Sequence, residues 1–505
     1  MKVFTLYFFT LAFLVACSNP QATSAPISAL PQGNPSTPAA TLADEPQQAE
    51  ITIVPTQLPQ QAPGNKGQKN KEARTQAFPT ASNALFLAPE MAGLPTDSTV
   101  SINLLPATAA TIIIEYGTNG VTLETSPIQS TANTPLQINL TELSPDSEYF
   151  YYVIANDTRG VRHTFHTARS ETSKFVFEIQ GDSHPERIGR QFDANLYDQV
   201  LANAAKDEPD FYITMGDDFS VDSLKEVNQA TVNQIYLNQR RWLSKVDAPV
   251  FLVNGNHEQA SLANLDGSSQ SVAVLAQTAR NTMFPVPYPS DFYSGNEQPV
   301  ENIGLLGDYY SWEWGNALFV VIDPYWHSTV TVDNQFGVER NKPGDRDLWS
   351  ISLGDEQYQW FQKILHESNA QYKFVFTHHV LGTGRGGIEL ATGYEWGDAE
   401  HLAAHRPGWE RTIHQVMVEE GVTIFFQGHD HIFAKQILDG VIYQTLPEPA
   451  NPTASWENKE AYKSGVLMPN SGRVQVEVSP TGLIVSYIQS VIGKEDEVSF
   501  FYEVQ

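Results

Sequence analysis

One cysteine in 505 residues, Cys17, excludes an intramolecular disulfide and a thiolate-rich metal site, so cohesion and any metal binding must use other chemistry. Positive charge is scarce too. Only 30 Lys and Arg stand against 58 Asp and Glu, a formal charge of -28, and the resulting outer field repels nucleic acid and anionic membrane surfaces. The N-terminal apolar run, Val3 to Val15, is too short to span a bilayer and has the length of the hydrophobic part of an export signal. From Ser18 to about Phe78 aromatics are nearly absent among Pro, Ala, Gln, Thr and Ser, a composition that cannot bury enough surface to offset the entropy of folding. Residues 18–80 are therefore expected to be a disordered tether, with Ile51 to Val54 at most a brief extended segment.

The rest is ordinary globular sequence, 41% hydrophobic and 17% charged, long enough for two or three domains. Residues 81–170 carry short β-rich runs, Thr99 to Leu104, Thr111 to Tyr116, Leu136 to Leu140, Tyr149 to Ala155 and Val161 to Thr167, punctuated by Gly, Pro, Asn and Asp as in a small antiparallel sandwich. Residues 171–505 alternate strands with helix-length segments. Leu196, Val200, Leu201 and Ala204 mark one helix face and Trp360, Phe361, Ile364 and Leu365 another.

In this second region five apolar runs of strand length end in the same kind of loop. Phe175 to Gln180 runs into Gly181-Asp182-Ser183-His184, Phe211 to Met215 into Gly216-Asp217-Asp218, and Val250 to Val253 into Asn254-Gly255-Asn256-His257-Glu258. Lys373 to Thr377 runs into His378-His379, and Val422 to Gln427 into Gly428-His429-Asp430-His431. Open α/β sheets place their sites at the carboxyl ends of strands. Carboxylate, imidazole and amide oxygen without thiolate suit Mn, Fe or Zn, and a bridging carboxylate can hold two ions roughly 3.5–4 Å apart for phosphoryl chemistry.

Asp182-x-His184, Gly216-Asp217, Gly255-Asn256-His257-Glu258, His378 and Gly428-His429-x-His431 together resemble the signature of the calcineurin-like metallophosphoesterase superfamily. The resemblance implies an α/β fold with the layered αββα core, with Val441 to Leu446 and Arg473 to Ser490 as its terminal strands. It also implies two divalent ions, one held by Asp182, His184 and His431, the other by Asn256, His378 and His429, with Asp217 bridging. His378 is preferred over His379 because the superfamily motif usually places the ligand first. Two such ions with two ligating carboxylates leave the site a positive charge of about two. A hydroxide bridging the ions is then expected to attack phosphorus in line, while His257 protonates the departing alkoxide. Glu258 is either an orienting partner of His257 or solvated. Arg385, in the Gly-rich loop after His378, is a candidate phosphate clamp.

Leu143-Ser144-Pro145-Asp146-Ser147-Glu148-Tyr149 looks like the tyrosine corner of fibronectin type III domains, and residues 81–170 resemble the N-terminal domain of purple acid phosphatases. A spacer or a wall of the active site is the expected role there, with a glycan-binding module as the alternative. The chain departs from true purple acid phosphatases at His184, which their first motif lacks, and at Ser220, where they carry a tyrosine ligand. The segments Gln259 to Gly307 and Pro324 to Ser350 are expected to shape the substrate pocket. Leu14-Val15-Ala16-Cys17 resembles the lipobox of bacterial lipoproteins, which implies removal of the signal peptide, lipidation of Cys17 and a surface or outer-membrane anchor. The combined expectation is a lipid-anchored dinuclear phosphohydrolase acting on small phosphorylated substrates, phosphomonoesters ahead of phosphodiesters or nucleotides. A non-catalytic surface glycan-binding protein is the rival from another class.

Overall fold

The computed structural model describes residues 51–53, 84–332 and 347–505. Cys17, the expected signal segment and most of the expected tether lie outside the described residues. Within that tether Ile51–Ile53 forms a strand, added in parallel to Gly465–Met468 at a sheet edge. This is the brief extended segment expected at Ile51 to Val54.

Residues 84–168 form two antiparallel sheets around one core. Val100–Leu104 pairs with Met91–Gly93 and Leu136–Leu140 on one side; Glu148–Ala155 pairs with Thr111–Thr118 and His163–His166 on the other. Ile102, Ile112, Ile114, Ile138, Tyr151 and Val153 meet between them, the inward halves of strands whose side chains alternate. The hydroxyl of Tyr149 accepts a 2.8 Å bond from the backbone N–H of Ser144, the hydrogen bond that defines a tyrosine corner.

The second region is a four-layer α/β structure. One mixed sheet runs Val250–Leu252, Phe211–Thr214, Phe175–Gln180, Gly472–Ser479, Gly482–Gln489, Glu497–Val504. The facing sheet carries Ala317–Val321, Tyr372–Phe376, Ile424–Gln427 and Val441–Thr445 as its parallel centre. Their inner faces meet in an aromatic core: Phe177 lies 5.6 Å from Phe211, 5.0 Å from Phe319 and 5.4 Å from Phe374, ring centre to ring centre. The outer faces are covered by helices. Ala194–Lys206, Gln229–Leu243 and Val272–Met283 pack on Tyr212, Val250 and Leu252, while Gly354–Glu367 and Ile413–Glu419 pack on Val320, Val375 and Phe425.

This arrangement corrects part of the pocket expectation. Val272–Met283 is a helix that buries Ala273, Leu275, Ala276 and Ala279 beneath the sheet, so much of Gln259 to Gly307 is structural layer. Residues 333–346 of the other expected pocket segment lie outside the described residues.

Candidate metal centre

The parallel strands of both sheets end on the same side, and their loops interlock there. A Cβ on Gly255 would lie 2.3 Å from Asp217 Oδ1, and one on Gly216 2.5 Å from the Gly255 nitrogen, so these two loops touch backbone to backbone and only glycine fits at either place. Asp217, His184, His429 and His431 all adopt left-handed backbone, with φ of 57°, 45°, 66° and 55°. Such conformations cost a non-glycine residue of order 1–3 kcal/mol and cluster at functional sites. The strand-end loops therefore trade local ease for side-chain aim.

That aim is convergent. Asp217 Oδ2 faces His378 Nε2 at 3.2 Å and both His184 Nε2 and His257 Nε2 at 3.7 Å. Asp182 Oδ2 lies 3.1 Å from His431 Nε2 and 3.6 Å from His184 Nε2. His378 Nε2 and His429 Nδ1 face one another at 3.1 Å. Asp182, His184 and His431 form one group able to hold an ion jointly; Asp182, Asp217, His378 and His429 form another. His184 Nε2 and Asn256 Oδ1 are buried with no hydrogen-bond partner among the described residues, a cost a native site does not carry without a ligand to meet it. His378 donates Nδ1–H to the Met215 carbonyl at 2.6 Å, which leaves the lone pair of Nε2 aimed at the centre. His379 instead places Nδ1 2.7 Å from the Val380 carbonyl and Nε2 3.5 Å from Asp430, away from Asp217.

The electrostatics also call for cations. Burial would raise the pKa values of Asp182 and Asp217, but His378 and neighbouring imidazoles hold both well below the carboxylate range. Burial would lower His378 and His431, yet nearby carboxylates push both up to about 10. The carboxylates thus draw positive charge into a dry pocket, as a site for divalent cations must. Donor set, orphaned atoms and charge all fit the two expected ions.

A surrounding layer was not legible from the motifs. His184 Nδ1 sits 3.0 Å from Glu186, and His431 Nδ1 sits 3.1 Å from Glu457 and 3.4 Å from Glu448. Glu448 is fixed in turn by the amides of Asn451 and Asn470 at 2.6 and 2.8 Å. Carboxylates at the far nitrogen orient a ligating histidine and raise its basicity. They also add negative charge around Asp182 and Asp217, outside the ligand set on which the count of two net positive charges rests.

Glu258 is neither solvated nor a partner of His257. Its carboxylate is buried and accepts from the backbone N–H groups of Asp218, Phe219 and Gly255 at 2.8, 3.1 and 2.6 Å, bracing the Asp217 and Asn256 loops together. Burial, followed by the nearby Asp217 charge, raises its pKa to about 7. The partner of His257 is Asp222, whose Oδ2 lies 2.7 Å from Nδ1. Burial opposes charge on His257, but Asp217 and Asp222 outweigh it and raise its pKa to about 9. Asp222 follows Asp217 by five residues, a proximity that sequence reading could have used. Arg385 bonds the His429 carbonyl and lies 3.2 Å from Asp430 Oδ1, so it ties the Gly-rich loop to the His429-Asp430-His431 segment.

The family model for calcineurin-like phosphoesterases matches residues 179–433. PhoD shares the fold with a TM-score of 0.60 at 14% identity, over 85% of this chain and 91% of that one. The purple acid phosphatase PPD1 from yellow lupin (Lupinus luteus) seeds gives 0.53 at 15% identity, over 82% and 73%. Curated proteins yielded no significant sequence match.

Proposed function

The chain belongs to the calcineurin-like phosphoesterase family and is a phosphoester hydrolase, and from that premise we propose that it is a dinuclear phosphomonoesterase. Asp182, His184 and His431 would hold one divalent ion, Asn256, His378 and His429 the other, and Asp217 would bridge. The observation that carries this reading is Asp217 itself, a buried carboxylate whose Oδ2 faces His378 and His184 from two different loops. Two ions so held, when bound, supply Lewis acidity toward phosphoryl oxygens and toward water. The chain's own residues supply the rest. Glu186, Glu448 and Glu457 fix the rings of His184 and His431 through their outer nitrogens. Asp222 holds His257 with Nε2 turned to the centre, 3.7 Å from Asp217, where it can pass a proton to a leaving oxygen. Glu258 keeps the two central loops in register.

The test is hydrolysis of phosphomonoesters, phosphodiesters and nucleotides by purified protein supplied with Mn, Fe or Zn. Faster turnover of monoesters is expected; diester preference would move the assignment to a phosphodiesterase, and inactivity on all classes would favour a binding role for the sandwich. The lipobox-like Leu14-Val15-Ala16-Cys17 supports membrane anchorage through Cys17. Cys17→Ala should then move the protein from the membrane to the soluble fraction without lowering specific activity, and unchanged fractionation would dismiss the anchor.

A further inference from the structure

Turns follow Asp182-Ser183-His184, and Arg187 within them is fixed on three sides. Its Nε lies 3.1 Å from Glu186 Oε1, the oxygen that also faces His184. Its Nη1 donates to Gln191 Oε1 at 2.9 Å, and Gln191 in turn donates to Glu457 at 2.6 Å. These contacts hold the guanidinium so that Nη2 points inward, 3.3 Å from His257 Nε2. Among the described residues Arg187 is the guanidinium that reaches an imidazole of the centre.

An Arg N–H has no lone pair to offer, so Nη2 is a pure donor held at the edge of the centre beside His257. An anionic oxygen brought beside Nη2 would accept from it. Glu186, Glu448, Glu457 and Asp222 also face the centre and repel phosphate, so a fixed guanidinium at the edge adds to the attraction that bound divalent ions would exert on a dianion. Arg385 is less suited because its Nη1 is already committed to the His429 carbonyl and Asp430.

Resting on the phosphoester-hydrolase reading above, we propose that Arg187 binds a non-bridging oxygen of the phosphoryl group and makes the centre selective for phosphomonoesters. A monoester dianion offers three non-bridging oxygens, a diester two; a guanidinium placed for the third would meet a carbon substituent in a diester.

The experiment compares the full metal-loaded chain with Arg187→Ala and Arg187→Lys. Calorimetric binding of inorganic phosphate, kcat/KM for nitrophenyl phosphate and for bis-nitrophenyl phosphate, and metal content are read together. Arg187→Ala should weaken phosphate binding and monoester kcat/KM by roughly ten- to hundredfold, leave diester kcat/KM within about threefold, and keep the metals; Arg187→Lys should recover part of the loss. Unchanged phosphate affinity, or equal loss on both ester classes, overturns the proposal. Loss of metal would reduce Arg187 to a brace for Glu186 and Gln191 and overturn it as well. Should the unaltered chain hydrolyse neither ester, the hydrolase reading fails, while the phosphate measurement still decides whether Arg187 binds the anion.

Discussion

Replacing His257 by Ala separates proton donation from metal binding. The ring is held by Asp222 at 2.7 Å on Nδ1 and presents Nε2 to the centre 3.7 Å from Asp217. It lies outside the group Asp182, Asp217, His378 and His429 and outside the group Asp182, His184 and His431, but forms a third group able to hold an ion with His184 and Asp217, so metal content must be read beside activity. Its side chain is partly exposed, so the change leaves no sealed cavity and should alter thermal stability little. A positioned proton donor contributes roughly 10²–10⁴ in rate, equivalent to about 3–5 kcal/mol of barrier. The assay is kcat for the protein and for His257→Ala on alkyl and aryl phosphates of graded leaving-group acidity, with metal content measured on the same samples. The loss should be largest for alkyl esters, whose alkoxide needs protonation, and should shrink for nitrophenyl esters. Asp222→Asn should show a smaller loss with the same trend, because it removes the ring's orienting carboxylate and keeps the ring. Equal losses across leaving groups, with both metals retained, would refute proton donation and leave His257 as a stabiliser of phosphoryl charge.

His163 joins the sandwich to the α/β region, with Nδ1 2.5 Å from Asp247, Nε2 3.2 Å from Glu90 and its ring stacked on Tyr151. Burial opposes its charge, but the two carboxylates raise its pKa from 6.5 to about 9. The folded value is the higher one, so this stabilisation is complete below about pH 6.5 and is lost as pH rises through about 9. The shift corresponds to roughly 3 kcal/mol, trimmed toward ~2 because Asp247 is 42% exposed; urea unfolding from pH 6 to 10 should show this extra decline in the natural chain and not in His163→Gln, and parallel curves would refute it. Glu448→Gln should weaken metal binding about 10- to 100-fold, read by metal titration, since Glu448 faces His431 Nδ1 at 3.4 Å; unchanged affinity would show that Glu457 alone orients His431. Iron-loaded protein should lack an intense tyrosinate-to-iron band, because Ser220 follows Asp217 where purple acid phosphatases carry their tyrosine, and such a band would disprove that reading.

The sequence revealed the centre because each motif stands at the end of its own apolar strand, so Asp182, Asp217, Asn256, His378 and His429 could be referred to one sheet edge without knowing the sheets. It did not reveal what surrounds them. Glu448 and Glu457 reach His431 from a loop beyond the strand Val441–Thr445, and only the tertiary fold brings them there. Glu186 and Arg187 lie within three residues of His184 and were within reach of a closer reading of that loop. Glu258 was misjudged because a carboxylate beside a functional histidine suggests a partner, whereas its contacts are backbone N–H groups. The helix Val272–Met283 was not legible despite Val274, Leu275, Ala276 and Ala279 on its buried side, because the aromatic- and proline-rich stretch that follows it suggests a pocket wall for the whole of Gln259 to Gly307. The last strand, Glu497–Val504, pairs along Gly482–Gln489 and extends the sheet beyond the predicted terminal strands.

The central claim is that one buried centre binds two ions through Asp217 and hydrolyses phosphoesters with them. Titrating chelator-treated full-length protein with Mn, Fe or Zn, while following bound metal and nitrophenyl phosphate hydrolysis together, tests it most directly. Two ions per chain are predicted, with activity rising as the second binds, and Asp217→Ala should abolish both. Saturation at one ion, or full activity retained after chelation, would contradict it.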